Sequence, residues 1–310
     1  MIIGLLALAA VAHASDAGDF AWQRGQGSVA LLKGKQTVWQ FRYGKEEAKP
    51  AFHPLALPGG PVITCYRNED HPWHRGMWFS WKLVNGLNYW EEDKAGVSEG
   101  LTETNNVRID TRRDFTARIT MDMIYRPPNS EPVLTEKRVL EVSAPDAQGV
   151  YHIDWMMTFT ALDKDVFLDR TPIPGEPDGK GHGGYSGLAV RFARETTDIQ
   201  VSTSDGPIAF TNGGYRGKAI AADYSGTVDN KVVGIAFLDH PKNLNAPSPW
   251  WIIDNKKNMK YFNPSVLCFG PHTLKAGQGM TLRYRAIMHF GRWDAERLLA
   301  ESERYVKAQK

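Results

Sequence analysis

Apolar and polar residues alternate in short runs along most of the chain, which is the pattern of strands with one buried face. In residues 115–125, for example, Ala117, Ile119 and Met121 fall on the same face. Turn residues such as Gly, Pro, Asn and Asp separate these runs. Helical spacing is found only near the end, where Asp294 can cap an apolar stripe. We therefore predict an all-β fold, a large antiparallel β-sandwich with a short C-terminal helix.

The densest polar cluster is the segment Asp-His-Pro-Trp-His-Arg-Gly at residues 70–76. Its proline favours a turn, which would bring His71 and His74 to the same side. Imidazole titrates near neutral pH, so the two histidines are predicted to act as acid and base or to bind a metal ion. The alternative is a surface turn in which Asp70 and Arg75 form an ion pair.

An aromatic hairpin follows this segment, and Asn85-Gly86 is predicted to form its two-residue turn. Glu91 and Glu92 stand at the end of the hairpin, where one of them can point into a site. Paired carboxylates are typical of glycoside hydrolysis, and we take Glu92 as the candidate catalytic carboxylate. Solvated charges at the end of a hairpin are the alternative.

Two further segments add candidate site residues. Residues 171–184 contain three prolines and five glycines, and a loop of this length is typically functional or disordered. His182 in this loop and Tyr185 just after it are predicted to touch a ligand. Asp239-His240 repeats the Asp-His-Pro sequence after an apolar strand, where ligand contacts are common. Both segments can instead be simple turns.

The chain is rich in aromatic residues, with 10 Trp, 11 Tyr and 13 Phe. They can form a β core or provide flat platforms for a sugar ring, and the two uses are compatible. We predict that Trp78, Tyr185 and Trp250 stack on a ligand. Arg75 and Arg191 are predicted to anchor a carboxylate or a hydroxyl group of that ligand.

Charge and targeting signals restrict the class of protein. The 37 basic and 35 acidic residues nearly balance, and no basic run supports nucleic-acid binding. An apolar run over residues 2–11 and the Ala-His-Ala that follows predict a signal peptide at residues 1–14 and a secreted or periplasmic protein. No stretch is long enough to span a membrane, and residues 15–310 are predicted to form a single domain. Cys65 and Cys268 lie in strand-like runs and can pair or stay buried thiols.

Several of these segments together resemble the PmoA-like domain family. The similar sequences are residues 70–78, Gly-Tyr-Ser-Gly-Leu at residues 184–188 and Phe-Leu-Asp-His-Pro-Lys-Asn at residues 237–243. In that family the first segment usually reads Asp-His-Pro-His-His-Arg-Gly, whereas Trp73 replaces the middle histidine here. The resemblance implies a β-sandwich related to galactose-mutarotase-like folds, in secreted proteins of carbohydrate-degrading bacteria.

These observations predict a carbohydrate-active enzyme that acts on a glycoside or a polysaccharide-derived sugar by hydrolysis or elimination, as a glycoside hydrolase or lyase. A non-catalytic carbohydrate-binding protein is the alternative, and a metalloprotein that oxidises a small substrate is a third hypothesis. The sequence requires no cofactor, and a divalent metal stays open. The predicted catalytic residues are His71, His74, His182, Asp239, His240 and Glu92.

Overall fold

The computed structural model describes residues 20–255 and 259–309, which form 24 strands and one α-helix. The prediction of an all-β fold with a short terminal helix is confirmed. The predicted signal peptide at residues 1–14 lies outside the described residues. The assignment of residues 15–310 to a single domain stays a prediction.

The strands are numbered in chain order. The first twelve are β1 (Phe20–Gly25), β2 (Ser28–Lys33), β3 (Gln36–Arg42), β4 (Ala51–Leu55), β5 (Tyr66–Asn68), β6 (His71–Arg75), β7 (Met77–Ser80), β8 (Leu83–Val84), β9 (Leu87–Asn88), β10 (Leu101–Thr111), β11 (Ala117–Arg126) and β12 (Leu134–Val142). The other twelve are β13 (Tyr151–Ala161), β14 (Val166–Asp169), β15 (Gly187–Arg191), β16 (Thr197–Thr203), β17 (Gly206–Pro207), β18 (Gly214–Lys218), β19 (Ala221–Val228), β20 (Lys231–Asp239), β21 (Pro249–Asn255), β22 (Met259–Pro264), β23 (His272–Leu274) and β24 (Gly279–Phe290). The helix is α1 (Ala295–Ala308).

Two nine-stranded sheets face each other and enclose the core. Sheet I has the strand order β1-β2-β3-β4-β7-β15-β22-β21-β18, and sheet II has the order β10-β11-β12-β13-β24-β20-β19-β16-β17. Neighbouring strands run antiparallel, for instance β13 beside β24. A four-stranded sheet, β23-β14-β8-β9, and the β5–β6 hairpin complete the fold. This arrangement confirms the predicted antiparallel sandwich.

Alternating side chains of the two sheets fill the space between them. In β7, Met77 and Phe79 point into this core, whereas Trp78 belongs to a separate cluster on the outer face of sheet I. Strand β11 contributes Ile119 and Met121 from the other sheet. Because strand side chains alternate between faces, the same strands that build the core also present aromatic residues outward.

Helix α1 covers the outer face of sheet II. Asp294 is its N-cap, as predicted, and its side chain accepts a hydrogen bond from the backbone N–H of Arg297 at 2.9 Å. Leu298 and Tyr305 are buried in one cluster with Leu238 of β20. The outer face of sheet I is covered by loops instead, and this is the face that holds the candidate site. Within the described ranges, no helix has the length and apolar character needed to cross a membrane.

The predicted hairpin turn is confirmed. Val84 pairs with Leu87, and Asn85 and Gly86 between them have φ values of 51° and 82°. Positive φ at both central residues is the signature of a type I′ turn, which matches the twist of antiparallel strands. The turn therefore follows from a local preference of Asn-Gly.

The region of Cys268 differs from the strand that its apolar run suggested. It is a turn in which the backbone N–H of Cys268 donates to the carbonyl of Ser265 at 2.9 Å. Val266 and Leu267 are also buried in this turn, which explains the strand-like sequence. Cys65 and Cys268 are not bonded to each other, and burial raises the pKa of the Cys268 thiol to about 12.

Candidate functional site

A cleft of about 360 Å³ on the outer face of sheet I brings together three histidines and one carboxylate. A larger groove of about 550 Å³ lies beside Phe20, but its lining residues include no histidine. We therefore take the smaller cleft as the candidate site. Its lining residues are His71, Trp73, His74, Trp90, Glu91, His182, Tyr185, Trp251, Ile253, Asn255, Met259 and Tyr261.

Strand β6 carries two of the histidines, and it is not the turn that we predicted. Its hairpin pairs Tyr66 with Arg75 and Asn68 with His71, so four steps along β6 oppose two steps along β5. This bulge interrupts the usual alternation of strand side chains. As a result, His71 and His74 do come together, with ring centroids 4.7 Å apart and nearly parallel planes.

His74 forms the floor of the cleft and is only 3% exposed. Its ring centroid lies 5.6 Å from that of Tyr261 and 4.9 Å from that of Trp78. Burial, and then the charges of His71 and Arg191, hold the pKa of His74 well below its ordinary value. The His74 Nδ1 atom and the Tyr261 hydroxyl have no hydrogen-bond partner among the described residues. The floor therefore consists of the neutral imidazole of His74 and the phenol of Tyr261, each with a polar atom that no described residue hydrogen-bonds.

His71 is half-buried at the edge of the cleft and is held by a carboxylate. Its Nδ1 atom lies 3.0 Å from Oδ2 of Asp70. Arg191 donates to the same oxygen at 2.5 Å, and Arg194 donates to Oδ1 at 3.1 Å. Burial acts to raise the pKa of Asp70, but the hydrogen bond with His71 and the charge of Arg191 outweigh it and lower the pKa to about 2. Arg191 is fully buried in this cluster and does not line the cleft, and its role as a ligand anchor stays a prediction.

Glu91 is the carboxylate that lines the cleft, whereas the candidate predicted from the sequence was its neighbour Glu92. Lys82 donates to Oε2 of Glu91, and the hydroxyl of Tyr185 donates to Oε1. Burial acts to raise the pKa of Glu91, but the charge and hydrogen bond of Lys82 and the hydrogen bond of Tyr185 outweigh it, so the pKa is lowered. Burial and then the charge of Glu91 raise the pKa of Tyr185. At neutral pH the pair is a carboxylate and a neutral phenol.

Arg75 and Glu92 lie behind the cleft in a buried ionic network and do not line it, so their roles toward a ligand stay predictions. Arg75 donates to Glu47 at 2.7 Å and to Glu92 at 2.6 Å, and Lys49 donates to Glu92 at 2.7 Å. Burial, partly offset by the charge of Glu92, lowers the pKa of Lys49 to about 8. The network joins β6 to the segment after β9. It thereby fixes the position of His74 relative to Glu91.

Two of the predicted stacking residues are inaccessible. Trp250 points into the core, where its ring stacks on Phe262 at 5.4 Å and its Nε1 donates to the carbonyl of Ala219 at 3.0 Å. Trp78 is fully buried beneath His74. The accessible face of the cleft belongs instead to Trp73 and to Tyr185, both of which are half-buried.

The glycine-rich loop folds over one side of the cleft. The guanidinium of Arg216 lies 3.5 Å from the ring centroid of Trp251 and donates to the carbonyls of Gly181 and Gly183, both at 2.7 Å. A Cβ at Gly183 would lie 2.0 Å from the carbonyl oxygen of Pro172, so only glycine fits this position. These contacts place His182 at the mouth of the cleft, near Tyr185.

Asp239 and His240 lie elsewhere, between the end of β20 and helix α1. Asn243 donates to Asp239 at 2.7 Å and to the carbonyl of Arg283 at 2.6 Å, which makes this segment a structural turn. The ring of His240 lies 6.1 Å from that of Tyr305. Neither side chain lines the cleft, and we assign neither a part in its chemistry.

Sequence reasoning missed several residues of the cleft. Glu91 is next to the predicted Glu92, and Trp251 is next to the predicted Trp250. Tyr261 is next to the core residue Phe262. The period of two in β21 and β22 was the available signal, because the neighbour of a core-facing residue faces outward. The missed residues are Trp73, Trp90, Glu91, Trp251, Ile253, Asn255, Met259 and Tyr261.

The histidines and the carboxylate of the cleft are residue types that bind metal ions. Over residues 20–255 and 259–309, no three His, Cys, Asp or Glu side chains are arranged so that they could hold one metal ion. The divalent metal stays a prediction from the sequence.

Solved structures that are similar to this chain include the following three. The galactosidase domain of alpha-galactosidase-sucrose kinase matches 89% of this chain at 6% identity and a TM-score of 0.36, and the chain spans 41% of that protein. A galactose mutarotase related enzyme from Lactobacillus acidophilus matches 88% of this chain and 97% of its own length, at 8% identity and a TM-score of 0.37. A putative aldose 1-epimerase from Klebsiella pneumoniae subsp. pneumoniae MGH 78578 matches 92% of this chain and 82% of its own length, at 11% identity and a TM-score of 0.39.

The family assignment corrects the resemblance drawn from sequence motifs. A search of curated protein sequences finds no match. The family model that does match covers residues 28–303, and it is not the PmoA-like domain family. By this match over most of its length, the chain belongs to the Family of unknown function (DUF6807).

Proposed function

We propose that the cleft is an active site in which a carbohydrate undergoes proton transfer. The observation that carries this proposal is the pairing of an ionised carboxylate, Glu91, with a carboxylate-bound imidazole, His71, in one aromatic cleft. Such a reaction requires at least one base and one acid beside the ligand.

The walls of the cleft suit a sugar. Its volume of about 360 Å³ falls within the range of small-molecule sites, which is about 300–1,000 Å³. Trp73 and Tyr185 offer ring faces to the apolar side of a pyranose. The rings of His74 and Tyr261 close the floor of the cleft, while their unpaired Nδ1 and hydroxyl groups are themselves buried.

The charge state of the cleft favours elimination over hydrolysis. Hydrolysis with two carboxyl groups needs one protonated acid beside one carboxylate. Among the described lining residues Glu91 is the only carboxyl group, and its lowered pKa keeps it ionised. In an elimination, Glu91 would take a proton from a carbon of the sugar, a C–O bond would break, and His71 would protonate the leaving oxygen. Epimerisation begins with the same proton abstraction.

The test is turnover on a panel of neutral, uronic and keto glycosides, with and without a chelator. We expect Glu91→Gln, which keeps the size of the side chain, to lower the rate about 10²- to 10⁴-fold. His240→Asn is the matched control and should keep the wild-type rate. Products are analysed for a new C=C bond and for deuterium uptake from D₂O. Loss of activity with the chelator would establish the metal.

The binding alternative is distinguished by the same samples. If wild-type protein and Glu91→Gln bind a glycan equally and neither turns it over, the protein is a carbohydrate-binding protein. If no member of the panel binds or reacts, the carbohydrate proposal is wrong.

We further propose that the protein works in a secreted or periplasmic compartment. The support is the apolar run at residues 2–11 followed by Ala-His-Ala. The N-terminal sequence of the exported protein should begin near Ser15, and a cytoplasmic protein with Met1 intact would contradict the proposal.

A further inference from the structure

We propose that Asp70 is a positioning residue that holds His71 in the tautomer with its proton on Nδ1, so that Nε2 is directed to the ligand. This inference deepens the proposed function, because it explains how one imidazole of the cleft is prepared for proton transfer. It concerns a residue that the sequence analysis considered only as a surface ion pair.

The carboxylate of Asp70 is fixed from three sides. Arg191 donates to Oδ2 at 2.5 Å, Arg194 donates to Oδ1 at 3.1 Å, and Nδ1 of His71 lies 3.0 Å from Oδ2. Arg191 is fully buried, so the strongest of these contacts is anchored in the body of the protein rather than at its surface. The carboxylate therefore has a set position from which it can orient the imidazole.

The oxygen beside His71 is an acceptor, which decides the tautomer. An ionised carboxylate only accepts hydrogen bonds, so the nitrogen facing it must carry the proton. Burial raises the pKa of Asp70, but its partners lower it to about 2, and the group is ionised at neutral pH. When the ring is an imidazolium, the other nitrogen, Nε2, carries the proton that the leaving oxygen receives. After that transfer Nε2 has a lone pair and Nδ1 keeps its proton.

The plane of the His71 ring is fixed as well. It stacks on the ring of His74 at 4.7 Å, and the edge of Trp73 lies against it at 5.3 Å. His74 itself is held by Tyr261 and Trp78. The hydrogen bond and the stack together leave the ring one orientation, which is the arrangement that proton transfer requires.

The other two histidines of the cleft lack this support. His74 is buried, and its Nδ1 atom has no partner among the described residues. His182 is exposed, and its described contact is a ring 6.5 Å away, that of Tyr185. Only His71, of the three, combines a bound carboxylate with access to the ligand.

The first experiment needs no substrate. Nitrogen NMR of the histidine-labelled wild-type protein, at a pH where the rings are neutral, reports the tautomer of each imidazole. The His71 signals are assigned by their loss in His71→Asn. We expect the Nδ1–H tautomer for His71, and an Nε2–H tautomer would overturn the proposal regardless of any activity.

The second experiment uses Asp70→Ala, with Asp154→Ala as the control. Asp154 also binds an arginine, at 2.6 Å and 2.7 Å, but it lies on sheet II away from the cleft. We expect Asp70→Ala to move His71 toward the Nε2–H tautomer and to lower kcat about 10²- to 10⁴-fold with little change in KM. Added acetate should restore part of that rate.

The outcomes separate this inference from the proposed function. An Nδ1–H tautomer in a protein that turns over no carbohydrate would leave the positioning of His71 correct and the proposed reaction wrong. Full activity of folded Asp70→Ala would overturn the positioning role while the proposed reaction stands. If Asp70→Ala fails to fold, the wild-type tautomer decides the matter.

Discussion

Two segments of this chain begin with the same three residues, Asp-His-Pro, and the structure uses them differently. The first segment, residues 70–74, ends in Trp-His, and the second segment, residues 239–243, ends in Lys-Asn. The first binds its aspartate to two arginines and lines the cleft with its histidines. The second binds its aspartate to Asn243 and packs beside helix α1.

The two aspartates show what the surroundings do to one chemical group. Asp239 is only 3% exposed, whereas 27% of the Asp70 side chain is accessible, and at both positions burial disfavours the charged form. Around Asp70, the hydrogen bond with His71 and the charges of two arginines lower the pKa to about 2. Around Asp239, burial prevails over the hydrogen bonds from Asn243 and the backbone and raises the pKa to about 7. Identical local sequence therefore does not imply identical chemistry.

The largest difference in turnover should separate the alanine variants of His71 and His240, the histidines that follow the two aspartates. We expect His71→Ala to lower turnover about 10²- to 10⁴-fold, because it removes the imidazole that faces the ligand. His240→Ala should leave turnover unchanged, since His240 lies outside the cleft. Steady-state rates of both variants on the same glycoside provide the measurement. Equal losses would mean that the two segments do not differ in function.

Removing the two aspartates should affect stability unequally. Asp70→Ala removes one charged partner of the buried Arg191, and we expect a loss of about 3 kcal/mol in the free energy of unfolding. Asp239→Ala removes neutral hydrogen bonds with Asn243 and should cost about 1–3 kcal/mol. Urea titrations at neutral pH compare the two. A smaller loss for Asp70→Ala would contradict the structural role of the Arg191 pair.

The pH dependence of stability should carry opposite contributions from the two residues. Asp239 has a raised pKa in the folded state, so its contribution falls as the pH rises from about 4 to about 7, on the order of 4 kcal/mol. Asp239→Asn should abolish this decline. Asp70 has a lowered pKa, so its contribution is present above about pH 4 and is lost as the pH falls toward 2. Unfolding curves over this pH range test both, and an unchanged decline in Asp239→Asn would refute the assignment.

The smallest effect concerns the residue after each proline. Trp73 presents a half-buried ring to the cleft, and we expect Trp73→Ala to weaken glycan binding about threefold to tenfold. Lys242→Ala, the equivalent change in the second segment, should bind as wild type does. Isothermal titration calorimetry measures both affinities. Unaltered binding by Trp73→Ala would show that the Trp73 ring does not stack on the glycan.

Local patterns in the sequence determined much of the architecture. The alternation of apolar residues predicted the antiparallel sandwich, Asn85-Gly86 predicted its turn, and Asp294 predicted the start of the helix. These features depend on the preferences of a few adjacent residues, and such preferences can be read without knowledge of the fold. The clustering of His71 and His74 was also predicted, although a bulged strand rather than a turn produces it.

Only the tertiary structure decided which of two neighbouring residues faces the ligand. Glu91 and Glu92 are adjacent, yet one lines the cleft and the other belongs to the network of Arg75. Trp250 and Trp251 divide in the same way between the core and the cleft. For the two tryptophans the physical reason is that a strand presents alternate residues to opposite faces, and the packing of distant strands determines which face is the core. Glu91 and Glu92 follow β9 outside any strand, and their contacts with Lys82 and Arg75 separate them. The partners of a buried charge are likewise remote in sequence, as Arg191 and Asp70 are, so they emerge only when the chain has folded.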